Sequence, residues 1–192
     1  MMIPKRKFNI GKNAELKTEK NISCWVVYHQ SREFIETDDF RDYSHKIGYG
    51  ESEGQKIDLQ NYEQVAIAVI GKNNKYGMDE HSLWRLTNNV MESWSKDFPK
   101  EYGNFIKTGF SFRSLNMCPS GMGTRSSMVG DMFWNVSEDK WYMIMGLGFK
   151  EVIPCNKLKE NEINGLLYTY MGYISEEIEN EFDMSLGGYL GQ

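Results

Sequence analysis

Apolar residues fall in short blocks along this chain, and the spacing inside each block separates strands from helices. Residues 22–29 hold Cys24, Trp25, Val26, Val27 and Tyr28 in succession, and residues 65–70 read Val-Ala-Ile-Ala-Val-Ile. Unbroken runs of this kind predict strands covered on both faces. The second run ends at Gly71 and the turn-forming pair Asn73–Asn74. Asp79 is placed to cap a helix over 79–98, with Glu80 adding negative charge in its first turn. Leu83, Trp84, Val90, Met91 and Trp94 share one face of that helix, and Phe98 and Pro99 close it.

The densest apolar stretch is 108–152. Phe110, Phe112 and Leu115 predict a strand, 119–127 a glycine-rich connection, and 128–136 and 140–152 two strands joined by a polar hairpin. In 140–152 a period of two puts Trp141, Met143, Met145, Leu147 and Phe149 on one face and Tyr142 and Ile144 on the other. A long helix over 156–182 follows, its stripe formed by Ile163, Leu166, Leu167, Tyr170, Ile174, Ile178 and Phe182. Gly165 and Gly172 interrupt it and would allow another backbone to come close. Residues 31–49 mix Phe34, Ile35, Phe40 and Tyr43 with charges and partly fit a short helix, before an exposed loop at Gly48, Gly50 and Gly54.

This order predicts an α+β chain with a single domain over 21–184. Its antiparallel sheet has about five strands, with two main helices, 79–98 and 156–182, packed on one face. Residues 1–20 read as a basic N-terminal arm and 185–192 as a flexible glycine-rich tail. Profilin-like and longin-like domains share the layout, a likeness that carries no function. No family-wide motif is recognised.

Composition narrows the classes. With 192 residues, 40% hydrophobic and 14% aromatic, the chain can bury a sizeable core. A net charge of −5 argues against general nucleic-acid binding, which needs basic surface. No apolar run approaches the roughly 20 residues of a membrane helix, and the N-terminal residues lack the apolar segment of a secretory signal. Three widely spaced cysteines, Cys24, Cys118 and Cys155, fit reduced thiols in the cytoplasm. A composition rich in Lys, Asn, Glu, Tyr and Met suits an AT-rich, viral coding sequence, so the expected setting is the cytoplasm or a virion assembled there.

Candidate chemistry is sparse. In Cys118-Pro-Ser-Gly121-Met-Gly123-Thr-Arg125-Ser126, a cysteine, glycines, an arginine and a serine follow one another in the order of a phosphate cradle. The segment resembles the phosphate-binding loop of cysteine-dependent phosphatases. That resemblance implies a thiolate at Cys118 and an oxygen clamp at Arg125. The spacing departs from it: six residues, one more than the pattern has, separate Cys118 from Arg125, and a strand rather than a helix is expected next. The glycines match neither a P-loop nor a dinucleotide fingerprint. His29, His45 and His81 lie too far apart in sequence to form a metal-ligand motif. His29 reads as a hydrogen-bonded structural residue, His81 as solvent-facing, and Asp38, Asp39 and Asp42 as a solvated acidic loop. Neither a cofactor nor a metal is expected.

Charge placement says more. Residues 1–20 carry six basic side chains, among them Lys5, Arg6, Lys7 and Lys12, against two acidic ones. Glu176, Glu177, Glu179, Glu181 and Asp183 crowd the end of the expected last helix, where the helix dipole disfavours negative charge. Arm and acidic end are complementary, within one chain or between copies. The two-faced strand 140–152 also asks for a second cover. These features predict a non-catalytic interaction or assembly protein, a subunit of a homo-oligomer or virus-type particle, with itself or other protein subunits as partner. The alternatives are an acidic inhibitor or binding protein for a basic macromolecule, and a phosphate- or nucleotide-binding protein or enzyme using 118–127.

Overall fold

The computed structural model describes residues 22–49, 57–88, 109–115 and 124–156, with 162–163 and 165–166. Among the described residues, six strands form one antiparallel sheet in the order β3-β2-β1-β4-β5-β6. They are β1 (Ile22–Gln30), β2 (Tyr62–Gly71), β3 (Phe110–Ser114), β4 (Met132–Asn135), β5 (Lys140–Ile144) and β6 (Phe149–Val152). Among the described residues the helices are α1 (Arg32–Ile35), α2 (Asp38–Gly48) and α3 (Glu80–Leu86). Residues 162–163 and 165–166 are helical as well, inside the expected helix 156–182, whose other residues lie outside the described ones. The α+β architecture is the expected one.

Both apolar runs are central strands. β1 is paired with β2 on one side and β4 on the other, and its burial is nearly complete. Alternation then sorts the core into two layers. Cys24, Val26 and Tyr28 join Ile67, Val69, Met132, Trp134, Trp141 and Met143 in the first; Trp25 and Val27 join Ala66, Ala68, Ile70, Phe110, Phe112, Phe133 and Ile144 in the second. A bulge between Val27 and Tyr28 sets Tyr28 opposite Gln64, so the last residues of β1 meet the start of β2 in a shifted register.

Helices cover both layers, which corrects the one-face expectation. Ile47 of α2, with Ile163 and Leu166, packs on the first layer, while Leu83 and Leu86 of α3 pack on the second. Among the described residues, none lies within 4 Å of a β-carbon added at Gly165. Gly172 lies outside the described residues.

Other boundaries differ for identifiable reasons. Residues 31–49 form two helices, capped by the Ser31 and Thr37 side chains. Asp79 caps α3 as expected, accepting from the Ser82 amide at 2.9 Å. The helix stops at Leu86 instead of running on to 98, because the Thr87 and Asn88 side chains both take the Trp84 carbonyl. Residues 89–98 lie outside the described residues. Trp84, assigned to the apolar face, is 39% exposed, and the buried positions are Leu83 and Leu86.

The 140–152 stretch is two strands, which raises the count from five to six. The Met145 amide donates to the Gly148 carbonyl at 2.9 Å, and Gly148 turns the chain at φ +78°. The hairpin breaks the period of two. Trp141, Met143 and Met145 stay in the first layer, Phe149 packs against the second with Tyr142, and Leu147 stands at the tip, 97% exposed. Gly146 sits directly on Gly48, where any β-carbon would strike the Gly48 carbonyl oxygen.

Candidate functional site

The loops that follow β1 and precede β4 meet at one end of the sheet. There, polar side chains that the apolar pattern gives no reason to bury are drawn together around Asp131. A turn from Met128 to Asp131 leads into β4: the Asp131 amide donates to the Met128 carbonyl, and the Gly130 amide to the Ile144 carbonyl. Gly130 adopts φ +89°, which suits glycine, and its α-carbon lies against the Gln30 amide group. The turn thereby brings Asp131 to the last residue of β1.

The Asp131 side chain is fully buried. It accepts from Arg125 Nη1 at 2.5 Å and Nη2 at 2.7 Å, from the Gln30 backbone amide at 2.9 Å, and from the Met128 amide at 2.8 Å. Paired with a bidentate guanidinium and two amides, the carboxylate is tolerated in the interior. Arg125 also donates to the Ser126 carbonyl at 3.0 Å and reaches the Gln30 carbonyl at 3.4 Å. The guanidinium that the phosphatase-like pattern cast as an oxygen clamp is directed at a carboxylate of its own chain. Ser126 contributes its carbonyl. Cys118, Gly121 and Gly123 lie outside the described residues.

His29 is buried beside this pair. Its Nε2 lies 3.1 Å from Ser127 Oγ and 3.8 Å from Asp131 Oδ2. A serine–histidine–aspartate relay uses the two ring nitrogens for different partners; here one nitrogen faces both oxygens. Burial, reinforced by Arg125 and opposed by Asp131, lowers the His29 pKa from 6.5 to about 4, so the ring is neutral at neutral pH. Its expected structural role agrees with this setting. The Ser127 amide donates to the Thr87 carbonyl at 3.1 Å, which ties the segment to the end of α3.

On the opposite side of β1 the Tyr43 and Tyr62 hydroxyls are 2.6 Å apart, and Tyr62 donates to the Gly130 carbonyl at 3.1 Å. Either hydroxyl can donate to the other, Tyr43 having Met143 Sδ at 3.8 Å as a second acceptor. Burial is the first cause that pushes both phenols above their ordinary range. The cluster therefore joins β1, α2, β2, the Met128–Asp131 turn and the end of α3.

Gly130→Ala should destabilise the protein by about 2–4 kcal/mol, combining left-handed backbone strain with overpacking. The added methyl would lie 2.4 Å from Nε2 of the buried Gln30 side chain, which would have to shift to admit it. Chemical denaturation of both proteins measures the difference; a change under ~0.5 kcal/mol would show that the turn is not clamped.

Apolar side chains stand at the same end. Tyr49 is 75% exposed immediately after Gly48, Leu147 immediately after Gly146, and Met128 is part-exposed beside the polar cluster. The remaining sequence candidates do not converge there. His81 is exposed, with its ring edge-on to Phe149 at 4.7 Å. The His45 ring lies 4.6 Å from that of Tyr49, tilted by 47°, and Asp38, Asp39 and Asp42 are solvent-facing on α2. Cys24 is buried, with its thiol pKa raised by desolvation; Cys155 is exposed and donates to the Ile57 carbonyl. Lys5, Arg6, Lys7, Lys12, Glu176, Glu177, Glu179, Glu181 and Asp183 lie outside the described residues. Among the described residues no helix is long and apolar enough to cross a membrane, and no cluster of three metal-ligating side chains occurs.

No family model, curated protein or solved structure matches the chain. The functional reading rests on the residues alone.

Proposed function

We propose that this chain works by binding protein, as a non-catalytic subunit that associates with further copies of itself. The observation that supports the reading is the seat of Tyr49 and Leu147. The hairpin tip is fixed by the close approach of Gly146 to Gly48, and two large apolar side chains are held out to solvent beside it. Leu147, 97% exposed on this anchored hairpin, and Tyr49 beside it form an apolar pair that association with another copy would cover. The opposite charges of residues 1–20 and 176–183 add a sequence-level reason for copies to attract one another. The two-faced strand adds nothing, because both sides of the sheet carry their own cover.

Sedimentation velocity over a range of protein concentration tests this. The wild-type chain should form a defined oligomer, and Leu147→Asp should lower its association constant at least tenfold, about 1.4 kcal/mol, while leaving the thermal transition in place. A wild-type chain that stays monomeric at the highest concentrations, or an oligomer indifferent to Leu147→Asp and Tyr49→Asp alike, refutes the proposal.

A further inference from the structure

Two bases compete for the single carboxylate of Asp131. Arg125 holds both oxygens, and His29 Nε2 waits 3.8 Å from Oδ2. Arg125 arrives on the segment 124–128, whose bonds include Arg125 to Asp131 and to the Gln30 carbonyl, Ser127 Oγ to His29, the Ser127 amide to Thr87, and the Met128 amide to Asp131. Several of them involve His29 or Asp131. We propose that this segment is an acid-released latch: a proton on His29 supplies a second cation for Asp131, frees Arg125, and lets residues 124–128 lift from the ends of β1 and α3.

The surroundings of His29 set the direction. Among the described residues, the charges acting on it are Asp131 from the turn before β4 and Arg125 from the latch; Glu63, its cross-strand partner on β2, is exposed. With the latch shut, a protonated ring would be buried next to a guanidinium that has already neutralised the carboxylate. Once the latch opens, the ring regains water and an unshared Asp131. The closed form holds its proton only below about pH 4, while the open form, hydrated and beside an unshared carboxylate, holds it at least up to the ordinary 6.5, so the open form binds more protons between those values. Falling pH in that window therefore favours opening; above it the latch is insensitive.

Amide hydrogen exchange followed by NMR, corrected for the intrinsic pH dependence of exchange, reads the opening directly. Protection of the Ser127 and Met128 amides should fall about 50-fold from pH 7 to pH 4.5, while Val26 and Val27 in β1 keep theirs. In His29→Gln the fall should vanish. Three results overturn the proposal: pH-independent protection at Ser127 and Met128, an equal loss at Val26 and Val27, or a fall that persists in His29→Gln. If His29→Gln does not fold, the wild-type comparison of the two amide pairs still decides between a latch and general acid unfolding.

Discussion

Arg125→Met is expected to cost about 3–5 kcal/mol, the range for removing one partner of a buried ion pair. The arginine itself is not the source of the loss, since its side chain is 34% exposed and could be hydrated. Its partner is. Asp131 has no access to water, and two backbone amides cannot balance a full negative charge there. In a chain of this size, thermal unfolding should move down by roughly 10 °C. Arg32→Met provides the contrast. Arg32 is paired with Glu36 at 2.9 Å, but both side chains are largely in solvent, so its loss should leave the unfolding transition essentially where it is. Similar losses in the two variants would mean that Arg125 does not neutralise a buried charge.

Trp134→Ala should match or exceed that effect, at about 3–5 kcal/mol for a large-to-small change in a closed core. Trp134 is among the largest fully buried side chains and stacks on its cross-strand partner Trp141 at 5.2 Å and 11°. Its indole N–H donates to Asp139 Oδ1 at 3.2 Å, and Asp139 occupies φ 54° in the turn that joins β4 to β5. Truncation would remove a ring from the first layer and a tether from a left-handed aspartate together. Trp84→Ala, on the exposed side of α3, should cost less than ~1 kcal/mol. Denaturant titrations of the pair compare the two sites; equal losses would mean that Trp134 is not in a sealed core.

The contrast between these tryptophans shows what the residue pattern could and could not reveal. β1 and β2 were legible because strands covered on both faces need no polar alternation, and the runs 22–29 and 65–70 have none. Asp79 was legible because a cap acts over three residues. Trp84 was misplaced because an apolar side chain at helical spacing fits the buried face or its margin equally well. The 140–152 stretch concealed its hairpin because apolar residues continue across it; the pair of glycines around Leu147 was the available signal. The polar cluster was hidden more deeply. His29 and Asp131 are about a hundred positions apart, and they meet only because β4 returns to lie beside β1. Arg125 was singled out for its charge, but a lone arginine does not declare its partner. Asp131 offered a clue in hindsight, as an unpaired acid amid Val129, Met132, Phe133 and Trp134.

The outer strand β6 restricts the ways in which copies can be joined. Among the described residues it borders the sheet, with Phe149 and Glu151 on one face and Lys150 and Val152 on the other. A twofold axis that extends an antiparallel sheet keeps like faces together, so residues meeting across the seam must come from the same face. The register giving full overlap would set Lys150 against Glu151, and the face rule forbids it. One step either way places Lys150 on its own copy or Glu151 on its own copy, and larger slips leave most of the short strand unpaired. The border is thereby guarded against zipping to itself, and growth of this protein into a continuous ribbon through β6 is disfavoured whatever oligomer it makes elsewhere.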